Sequence, residues 1–337
     1  MSKHEKIIFS LRDAIKQSIS KNLSLVHLDQ QTEIRLRNIL AASIDEAYHS
    51  QIDDILSQLD ENSQMISSTP DSFFDVLYEL SKRLKRGAAA FTIVRNESVF
   101  LDLWVSYYAS ALGFENIFVL DNSSSDGSIE RLKERNPSVN IVHVPLQRSC
   151  NYQWQTDIIK TFQRVLLRAY DVCIYADSDE ILIPNSGSLS EFCTQVKTYV
   201  RATGFGVVHQ VDSESKADPK DILAKRSLMW RAPQYDKTLI SRLPLDWTKG
   251  QHEIYIDNAK DITKPSETLS LLHLRDVDFD LFCSRLESRL RENPINKPYG
   301  PQNSDQVRSW LKTDFTSEYS GDPLEIPEYW KRLLKQP

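Results

Sequence analysis

Apolar side chains along the first 86 residues recur at three- or four-residue steps. The two clearest stripes are Ala41, Ile44, Tyr48, Ile52, Ile55 and Leu59, and Phe73, Leu77, Leu80 and Leu84. Because an α-helix has about 3.6 residues per turn, this spacing places the apolar side chains on one helix face. The pattern predicts an N-terminal helical region over residues 1–86 without chemistry of its own. We expect it to serve packing or the formation of a homo-oligomer.

From Gly87 onward the pattern changes to short apolar runs that alternate with amphipathic segments. The runs that predict strands are 88–94, 116–120, 139–144 and 172–176, and one predicted helix covers 157–169. Such alternation is typical of an α/β fold with a mostly parallel central sheet flanked by helices. We place this domain at residues 87–295. The Pro-rich residues 296–337 are predicted to form a C-terminal extension that packs on its surface.

Composition excludes several classes of protein. The 337 residues carry a formal net charge of -6, whereas a nucleic-acid-binding surface normally has an excess of Lys and Arg. No apolar stretch approaches the roughly 20 residues that span a bilayer. The apolar residues at the N-terminus are interrupted by charges, unlike the apolar core of a signal peptide. The four cysteines lack the spacing of a zinc site, and Cys173, inside an apolar run, is predicted to be a buried reduced thiol. We expect a cytoplasmic protein that could still visit a membrane surface.

Polar residues follow three of the predicted strands, where an α/β sheet binds its ligands. These strand ends are Arg95–Glu97, Asp121–Gly127 and Asp177–Glu180. Asp177 and Asp179 stand two residues apart, and like charges this close are costly unless a cation or proton lies between them. Mg²⁺ and Mn²⁺ bind through such carboxylates together with substrate phosphates. The pattern therefore predicts a metal and diphosphate site, with a solvated acidic turn as the alternative.

The turn that begins at Asp121 has two interpretations. Its Asp, Asn, Ser and Gly residues are ordinary turn formers and helix caps. Alternatively, the Asp121 carboxylate accepts hydrogen bonds from a nucleotide base or ribose, and the turn opens a helix at Ser128. By itself, the turn favours the first interpretation.

Taken in order, these motifs resemble the bacterial family 2-like glycosyltransferases, which have the type A glycosyltransferase fold. Residues 91–128 contain an Asn-Glu pair after a strand, a Trp in the next helix, a Gly-Phe pair, and the turn Asp-Asn-x-Ser-x-Asp-Gly. YADSDEIL at 175–182 is similar to the family's Asp-x-Asp-Glu motif, and residues 269–286 are similar to its strand-His-loop-helix segment. The resemblance covers about residues 88–290.

The resemblance implies roles for particular residues. It places Asp121 on the base or ribose, with Asn96 and Glu97 beside the nucleotide pocket. It also implies a Mn²⁺ or Mg²⁺ ion held by Asp177, Asp179 and His273. A histidine after an apolar strand is otherwise expected to be structural. We add two substrate-binding candidates from the residues themselves: Asp126, from the Asp121 turn, and Glu180, which could contact the transferred sugar.

The catalytic base is less well defined. Inverting sugar transfer needs a carboxylate or imidazole near the acceptor hydroxyl. Residues 247–253 combine Trp247, whose ring suits stacking on a sugar, with the two base candidates His252 and Glu253. His252 could equally bind sugar or be structural. Other carboxylates stay open as bases: Asp246, Asp276 and Asp278.

We therefore predict a glycosyltransferase that moves a hexose from a nucleoside diphosphate sugar, with a UDP-sugar favoured, to a hydroxyl group. The acceptor could be a glycan, a lipid-linked sugar or a small molecule, and the resemblance implies inversion at the anomeric carbon. A nucleotidyltransferase is an alternative, but it usually has a Gly-rich basic loop where this chain has RNESVFLD. A third possibility is a non-catalytic carbohydrate-binding or scaffold protein on a decayed transferase fold. The intact Asp177 and Asp179 pair argues against it.

Overall fold

The computed structural model describes residues 87–144, 152–218, 220–256, 259–260, 263–292, 303–312 and 320–335. The predicted N-terminal helices, residues 1–86, lie outside the described residues. Cys173, predicted to be a buried thiol, is fully buried and free.

The described chain alternates strands and helices in its first half and consists mainly of strands in its second. The strands are β1 (Ala88–Val94), β2 (Ile117–Asp121), β3 (Asn140–His143), β4 (Val172–Tyr175), β5 (Glu180–Pro184), β6 (Tyr199–Gly206), β7 (Leu228–Arg231), β8 (Thr238–Ser241), β9 (Asp246–Trp247), β10 (Ile254–Ile256), β11 (Ala259–Lys260), β12 (Ser266–His273) and β13 (Ser320–Glu325). The helices are α1 (Phe100–Leu112), α2 (Ser128–Arg135), α3 (Tyr152–Ala169), α4 (Leu189–Gln195), α5 (Phe279–Glu292), α6 (Ser304–Lys312) and α7 (Glu328–Leu333).

The first four strands form a parallel unit in the order β3-β2-β1-β4. All seven residues of β1 are buried, as expected for a parallel strand covered on both faces. The register pairs Val94 with Asp121 and Phe91 with Tyr175, so the carboxyl ends of β1, β2 and β4 meet at one edge. The predicted α/β sheet with flanking helices is confirmed here.

The second half of the large sheet differs from the prediction, because most of its strands pair antiparallel. β8 pairs antiparallel with β4 and β6, β7 with β6, and β13 with β7. β12 runs parallel to β6 and antiparallel to β5. A parallel connection needs a crossover of a dozen or more residues, usually a helix, and α1, α2 and α3 supply it only between the first four strands. The prediction of a mostly parallel sheet is therefore wrong for this half.

Helix α1 fixes the start of β5. The Tyr107 hydroxyl donates to the Leu182 carbonyl at 2.7 Å, and the Leu182 amide donates to the Tyr108 hydroxyl at 3.0 Å. Trp104 packs its fully buried ring 4.6 Å from that of Tyr108. Because β5 begins at Glu180, these contacts also hold the acidic turn that joins β4 to β5.

No helix in the ranges described above is both long and apolar enough to cross a bilayer.

Candidate active site

The strand ends singled out by the sequence lie at one edge of the parallel unit. β1 leads into Asn96 and Glu97, β2 ends at Asp121, and β4 leads into Asp177. β1 is hydrogen-bonded to both β2 and β4, so the three groups of polar residues are neighbours. This is the edge at which α/β sheets bind ligands.

The loops after β1 and β2 are fastened to each other through Asn96. Its backbone φ is 53°, and its amide donates to Ser124 Oγ at 3.0 Å while its Oδ1 accepts from the Ser125 amide at 2.7 Å. Asp121 is 4% exposed, and its Oδ1 accepts from the Ser124 amide at 2.9 Å. The turn is thus held in one conformation by its own polar groups, which gives it a structural role whether or not it binds a ligand.

His143, at the end of β3, is a residue that the sequence analysis missed. Its Nδ1 lies 3.1 Å from Asp121 Oδ2, and its side chain is 45% exposed. Since a carboxylate only accepts hydrogen bonds, Nδ1 is the donor in this contact. The pairing adds a partly exposed imidazole to the Asp121 turn.

Asp126 makes contacts within its own turn. Its Oδ1 accepts from the backbone amide of Ser128, the first residue of α2, at 3.0 Å. The contact satisfies one of the free amides at the start of a helix. Asp126 therefore helps to begin α2.

Arg285, on α5, joins the ends of β1 and β4. Its Nη2 lies 3.0 Å from Glu97 Oε2 and its Nη1 lies 2.7 Å from Asp179 Oδ2. The guanidinium also lies 4.9 Å above the Phe100 ring. Burial alone would lower the pKa of Arg285, but the charges of Asp179 and Glu97 outweigh it and raise the pKa. Arg285 is a fixed cation between two strand ends, which the sequence analysis did not identify.

Lys237, just before β8, is a second buried cation that the sequence analysis missed. Its Nζ lies 2.6 Å from Glu180 Oε1 and 3.9 Å from Asp177 Oδ2. The Asp177 side chain is 33% exposed and accepts a short hydrogen bond from the Tyr175 hydroxyl. Burial alone would lower the pKa of Lys237, but Glu180 and Asp177 raise it, so Lys237 stays charged.

These residues form what we call the charged cluster. Its members are the carboxylates Glu97, Asp177, Asp179 and Glu180 and the cations Lys237 and Arg285. Four negative and two positive charges leave a net charge of -2 when all six are ionised. Burial raises the pKa of Glu180, while the charge of Lys237 opposes that rise. The cluster can accept further positive charge or a proton.

His273 faces the charged cluster from the end of β12. Its ring stacks on Tyr235 at 4.3 Å between centroids, and its Nε2 lies 3.7 Å from Glu180 Oε1. Nδ1 accepts from the Arg275 backbone amide at 3.3 Å, which places the ring proton on Nε2. Burial lowers the pKa of His273 well below its usual value, so the ring is neutral.

The predicted three-ligand metal site is not formed by this arrangement. Among the residues that the structure describes, no three His, Cys, Asp or Glu side chains are grouped so that they could hold a metal ion. Asp179 is bound to Arg285, and a metal on His273 Nε2 would require the ring proton to move to Nδ1, which accepts from the Arg275 amide. Asp177 is the predicted ligand that remains partly open to solvent. The residues therefore do not fit a metal ion held by Asp177, Asp179 and His273 together.

His252 has the geometry of a neutral base. Its Nδ1 lies 2.8 Å from the Gln234 carbonyl oxygen, so Nδ1 donates and Nε2 keeps a lone pair. The residue is exposed at the surface, while partial burial of the ring and the charge of Lys237 lower its pKa. Glu253 is half-buried next to it. The imidazole of His252 is thus neutral near pH 7, with one nitrogen available to accept a proton.

Trp247 lies in the core. It is 2% exposed, its Nε1 donates to the Thr238 carbonyl at 2.8 Å, and its ring lies 5.7 Å from that of Tyr175. A ring this buried presents little surface on which a sugar could stack. It supports Tyr175, which in turn hydrogen-bonds Asp177.

The other carboxylates considered as bases have partners of their own. Asp246 lies 2.5 Å from Lys160, Asp276 lies 2.9 Å from Arg275, and Asp278 lies 3.3 Å from Arg226. Asp276 and Asp278 are each 1% exposed. Asp278 also accepts from the Asp280 amide at 2.9 Å, near the start of α5.

Comparisons with known proteins give weak similarities. No protein-family model matches the chain, and neither does any curated protein. Glucosyl-3-phosphoglycerate synthase from Mycobacterium tuberculosis, in a complex with Mn²⁺, UDP and glucosyl-3-phosphoglycerate, is 15% identical over 35% of this chain and 40% of that chain, with a TM-score of 0.21. The chain thus spans less than half of the synthase. S. aureus TarS 1–349 is 10% identical over 69% of this chain and 72% of that chain, with a TM-score of 0.28. The activity proposed below therefore rests on this chain's own residues.

Proposed function

We propose that the chain is a glycosyltransferase that moves a sugar from a nucleoside diphosphate sugar, with a UDP-sugar favoured, to a hydroxyl acceptor. The observation that carries the proposal is the charged cluster, which lies at the ligand-binding edge of the sheet beside the Asp121 turn. The cluster has more negative than positive charges. It therefore suits a site that binds a diphosphate together with a cation or a proton.

The nucleoside would bind at the Asp121 turn. A carboxylate has about four lone-pair sites, so Asp121 can accept from a ribose or base while it keeps its contacts to Ser124 and His143. The partly exposed imidazole of His143 offers a second polar contact. Asn96 holds the turn in place for both.

The diphosphate would lie against the charged cluster. Because the cluster has a net charge of -2 when ionised, a diphosphate needs a compensating charge there. Protonation of Glu180, whose pKa is raised by burial, would supply part of it, and a divalent cation such as Mn²⁺ or Mg²⁺ would supply more. Asp177 is the carboxylate open to such an ion, with the phosphate oxygens as further ligands.

His252 would act as the base. Its Nε2 would take the proton of the acceptor hydroxyl as that oxygen forms a bond to the anomeric carbon. The bond from this carbon to the phosphate oxygen breaks, and the nucleoside diphosphate leaves with the bonding electrons. A single displacement of this kind inverts the configuration at the anomeric carbon.

Thermal unfolding with UDP, ADP and GDP, each with and without Mn²⁺, tests donor binding. A ligand at a hundredfold its Kd should stabilise the protein by about 2.7 kcal/mol. Release of UDP and free sugar from UDP-sugars then tests the chemistry. A nucleotidyltransferase would instead release diphosphate from a nucleoside triphosphate. A non-catalytic carbohydrate-binding protein would release neither UDP from a UDP-sugar nor diphosphate from a nucleoside triphosphate.

A further inference from the structure

The connection between β7 and β8, residues 232–237, contacts the site at two separate points. We call it the β7–β8 turn. The Gln234 carbonyl accepts from His252 Nδ1 at 2.8 Å. Lys237, the last residue of the turn, lies 2.6 Å from Glu180 Oε1. The position of this short segment therefore decides where both the base and one cation of the charged cluster are held.

The β7–β8 turn lies directly on the backbone of β6 at Gly204. The Gly204 carbonyl accepts from the Ala232 amide at 2.9 Å. A Cβ atom at position 204 would lie 2.5 Å from the Tyr235 carbonyl carbon and 2.7 Å from the Ala232 carbonyl oxygen. Carbon atoms in contact are normally about 3.5–4.0 Å apart. Any side chain at position 204 would thus push the turn away from β6, and a glycine in a strand often marks such a close approach.

A buried ion pair fastens the turn to the same glycine. Asp236 is 6% exposed, and its Oδ1 accepts from the Gly204 amide at 2.8 Å while its Oδ2 lies 2.6 Å from Arg231 Nη2. Arg231 Nη1 donates to the Gly204 carbonyl at 3.0 Å. Both backbone groups of Gly204 are therefore bound by side chains at the two ends of the turn.

These contacts control which nitrogen of His252 carries the proton. In a neutral imidazole, the hydrogen bond made by one nitrogen decides the state of the other. The Gln234 carbonyl can only accept, so it keeps the proton of His252 on Nδ1 and the lone pair on Nε2. If the turn moved away from β6, this carbonyl would move with it and the ring would lose its fixed tautomer and orientation.

We propose that Gly204 and Asp236 are positioning residues for the base, because they hold the β7–β8 turn where the Gln234 carbonyl fixes the ring of His252. The catalytic part of this inference rests on the proposed function, which assigns His252 as the base. Its structural part, the control of the His252 tautomer, does not depend on any reaction.

The test is nitrogen NMR of the full chain with isotope-labelled histidine, at a pH where the His252 ring is neutral. The signals of this ring are those missing from His252→Ala. The variants are Gly204→Ala, which adds the obstructing Cβ, and Asp236→Ala, which removes the ion pair. Thr203→Val is the matched control in β6, because it removes the hydrogen bond from the Thr203 hydroxyl to the Ser266 carbonyl and has no part in the contacts at Gly204.

Melting temperatures show which variants fold, and sugar transfer is measured on the same proteins. Asp236→Asn takes the place of Asp236→Ala if that protein does not fold. It keeps an oxygen that can accept from the Gly204 amide and loses only the charge opposite Arg231.

The wild type should have the His252 proton on Nδ1. In Gly204→Ala and the Asp236 variant, the fraction of this tautomer should fall, and kcat should fall by about tenfold to a hundredfold, because a small misplacement of a catalytic group is costly. Thr203→Val should melt at a lower temperature but keep the wild-type tautomer and kcat. Folded variants with an unchanged tautomer would overturn the positioning role, as would a changed tautomer in Thr203→Val. If the tautomer changes as expected but the wild type transfers no sugar, the proposed function fails and the positioning of His252 stands.

Discussion

At the scale of single residues, the protonation state of His252 is set by a short list of neighbours. The ring donates from Nδ1 to the Gln234 carbonyl, and the charged groups around it are Lys237, Asp177 and Glu253. Partial burial and Lys237 lower its pKa, whereas the other contacts raise it. The net effect is a lowered pKa, so the neutral form needed in a base predominates at neutral pH.

This state leads to a prediction for sugar transfer. His252→Ala should reduce kcat by about 10²–10⁴, the usual contribution of a general base, with the Kd of UDP unchanged. In the wild type, the rate should rise with pH as the imidazole loses its proton, with a midpoint below the ordinary value of 6.5. The measurement is kcat against pH for both proteins. Glu253→Gln is the control. If kcat of this variant no longer falls at low pH, Glu253 is the base instead.

Asp177 and His273 should differ in their effect on metal dependence. Asp177 is partly exposed, whereas the Nδ1 of His273 already accepts a backbone hydrogen bond. If UDP binding is strengthened by Mn²⁺, Asp177→Asn should remove most of that gain and His273→Ala should leave it intact. Titration of UDP with Mn²⁺ or EDTA measures both. Loss of the Mn²⁺ effect in a folded His273→Ala protein would restore His273 as a ligand.

At the scale of elements, the β4–β5 turn is built around buried charges. Glu180 is fully buried, and its carboxylate contacts Lys237, which precedes β8 in the same sheet. The pair connects the start of β5 to the start of β8. Removing one member of such a pair leaves an uncompensated buried charge.

The Glu180–Lys237 pair should show strong coupling in unfolding experiments. Glu180→Gln should lower the free energy of unfolding by about 3–5 kcal/mol, because the charge of Lys237 stays buried without its partner. Lys237→Met should cost less, because the buried Glu180 can then take up a proton. The double variant should lose less free energy of unfolding than the sum of the losses in the two single variants. Urea unfolding of the four proteins gives the coupling energy. Additive losses would mean that the two charges are compensated by other groups.

Arg285 should stabilise the site far more than an arginine in a surface ion pair. Arg285→Met leaves Glu97 and Asp179 without their shared cation, and we expect a loss of about 3 kcal/mol or more. Arg135, whose side chain is 62% exposed, pairs with Asp102 on the surface, and Arg135→Met should cost less than about 1 kcal/mol. Urea unfolding compares the two variants directly. Equal losses would show that the Arg285 bridge is weak.

At the scale of the whole molecule, the described residues from 87 to 335 contain a ten-stranded sheet with a continuous buried core. The C-terminal residues take part in it, since β13 pairs with β7 and Trp330 is 2% exposed. Every residue assigned above to donor binding or catalysis lies between Asn96 and Arg285.

A chain that begins at Arg86 should therefore keep nucleotide binding. We expect its Kd for UDP to lie within about twofold of the full-length value, even if solubility or oligomeric state changes. Isothermal titration and light scattering on the two proteins measure these properties. A folded truncation that does not bind UDP would show that the N-terminal residues contribute to the site.

The sequence by itself determined the features that depend on local patterns. β1 has the predicted bounds, Ala88–Val94, because a run of buried apolar residues marks a parallel strand wherever it occurs. The alternation of strands with amphipathic helices likewise predicted that Asn96, Asp121 and Asp177 would meet at one edge. Each of these signals lies within a few residues of the feature it predicts.

Only the tertiary structure decided which groups surround the acidic turn. Arg285 is 106 residues from Asp179, and Lys237 is 57 residues from Glu180, and a contact between such distant residues leaves no periodic signal in the sequence. The antiparallel half of the sheet has the same explanation, because the pairing of its strands depends on contacts between residues far apart in the sequence. The pattern of apolar and polar residues thus predicted the carboxylates at the edge of the sheet. The contacts that bring the cations Arg285 and Lys237 next to them depend on the tertiary structure.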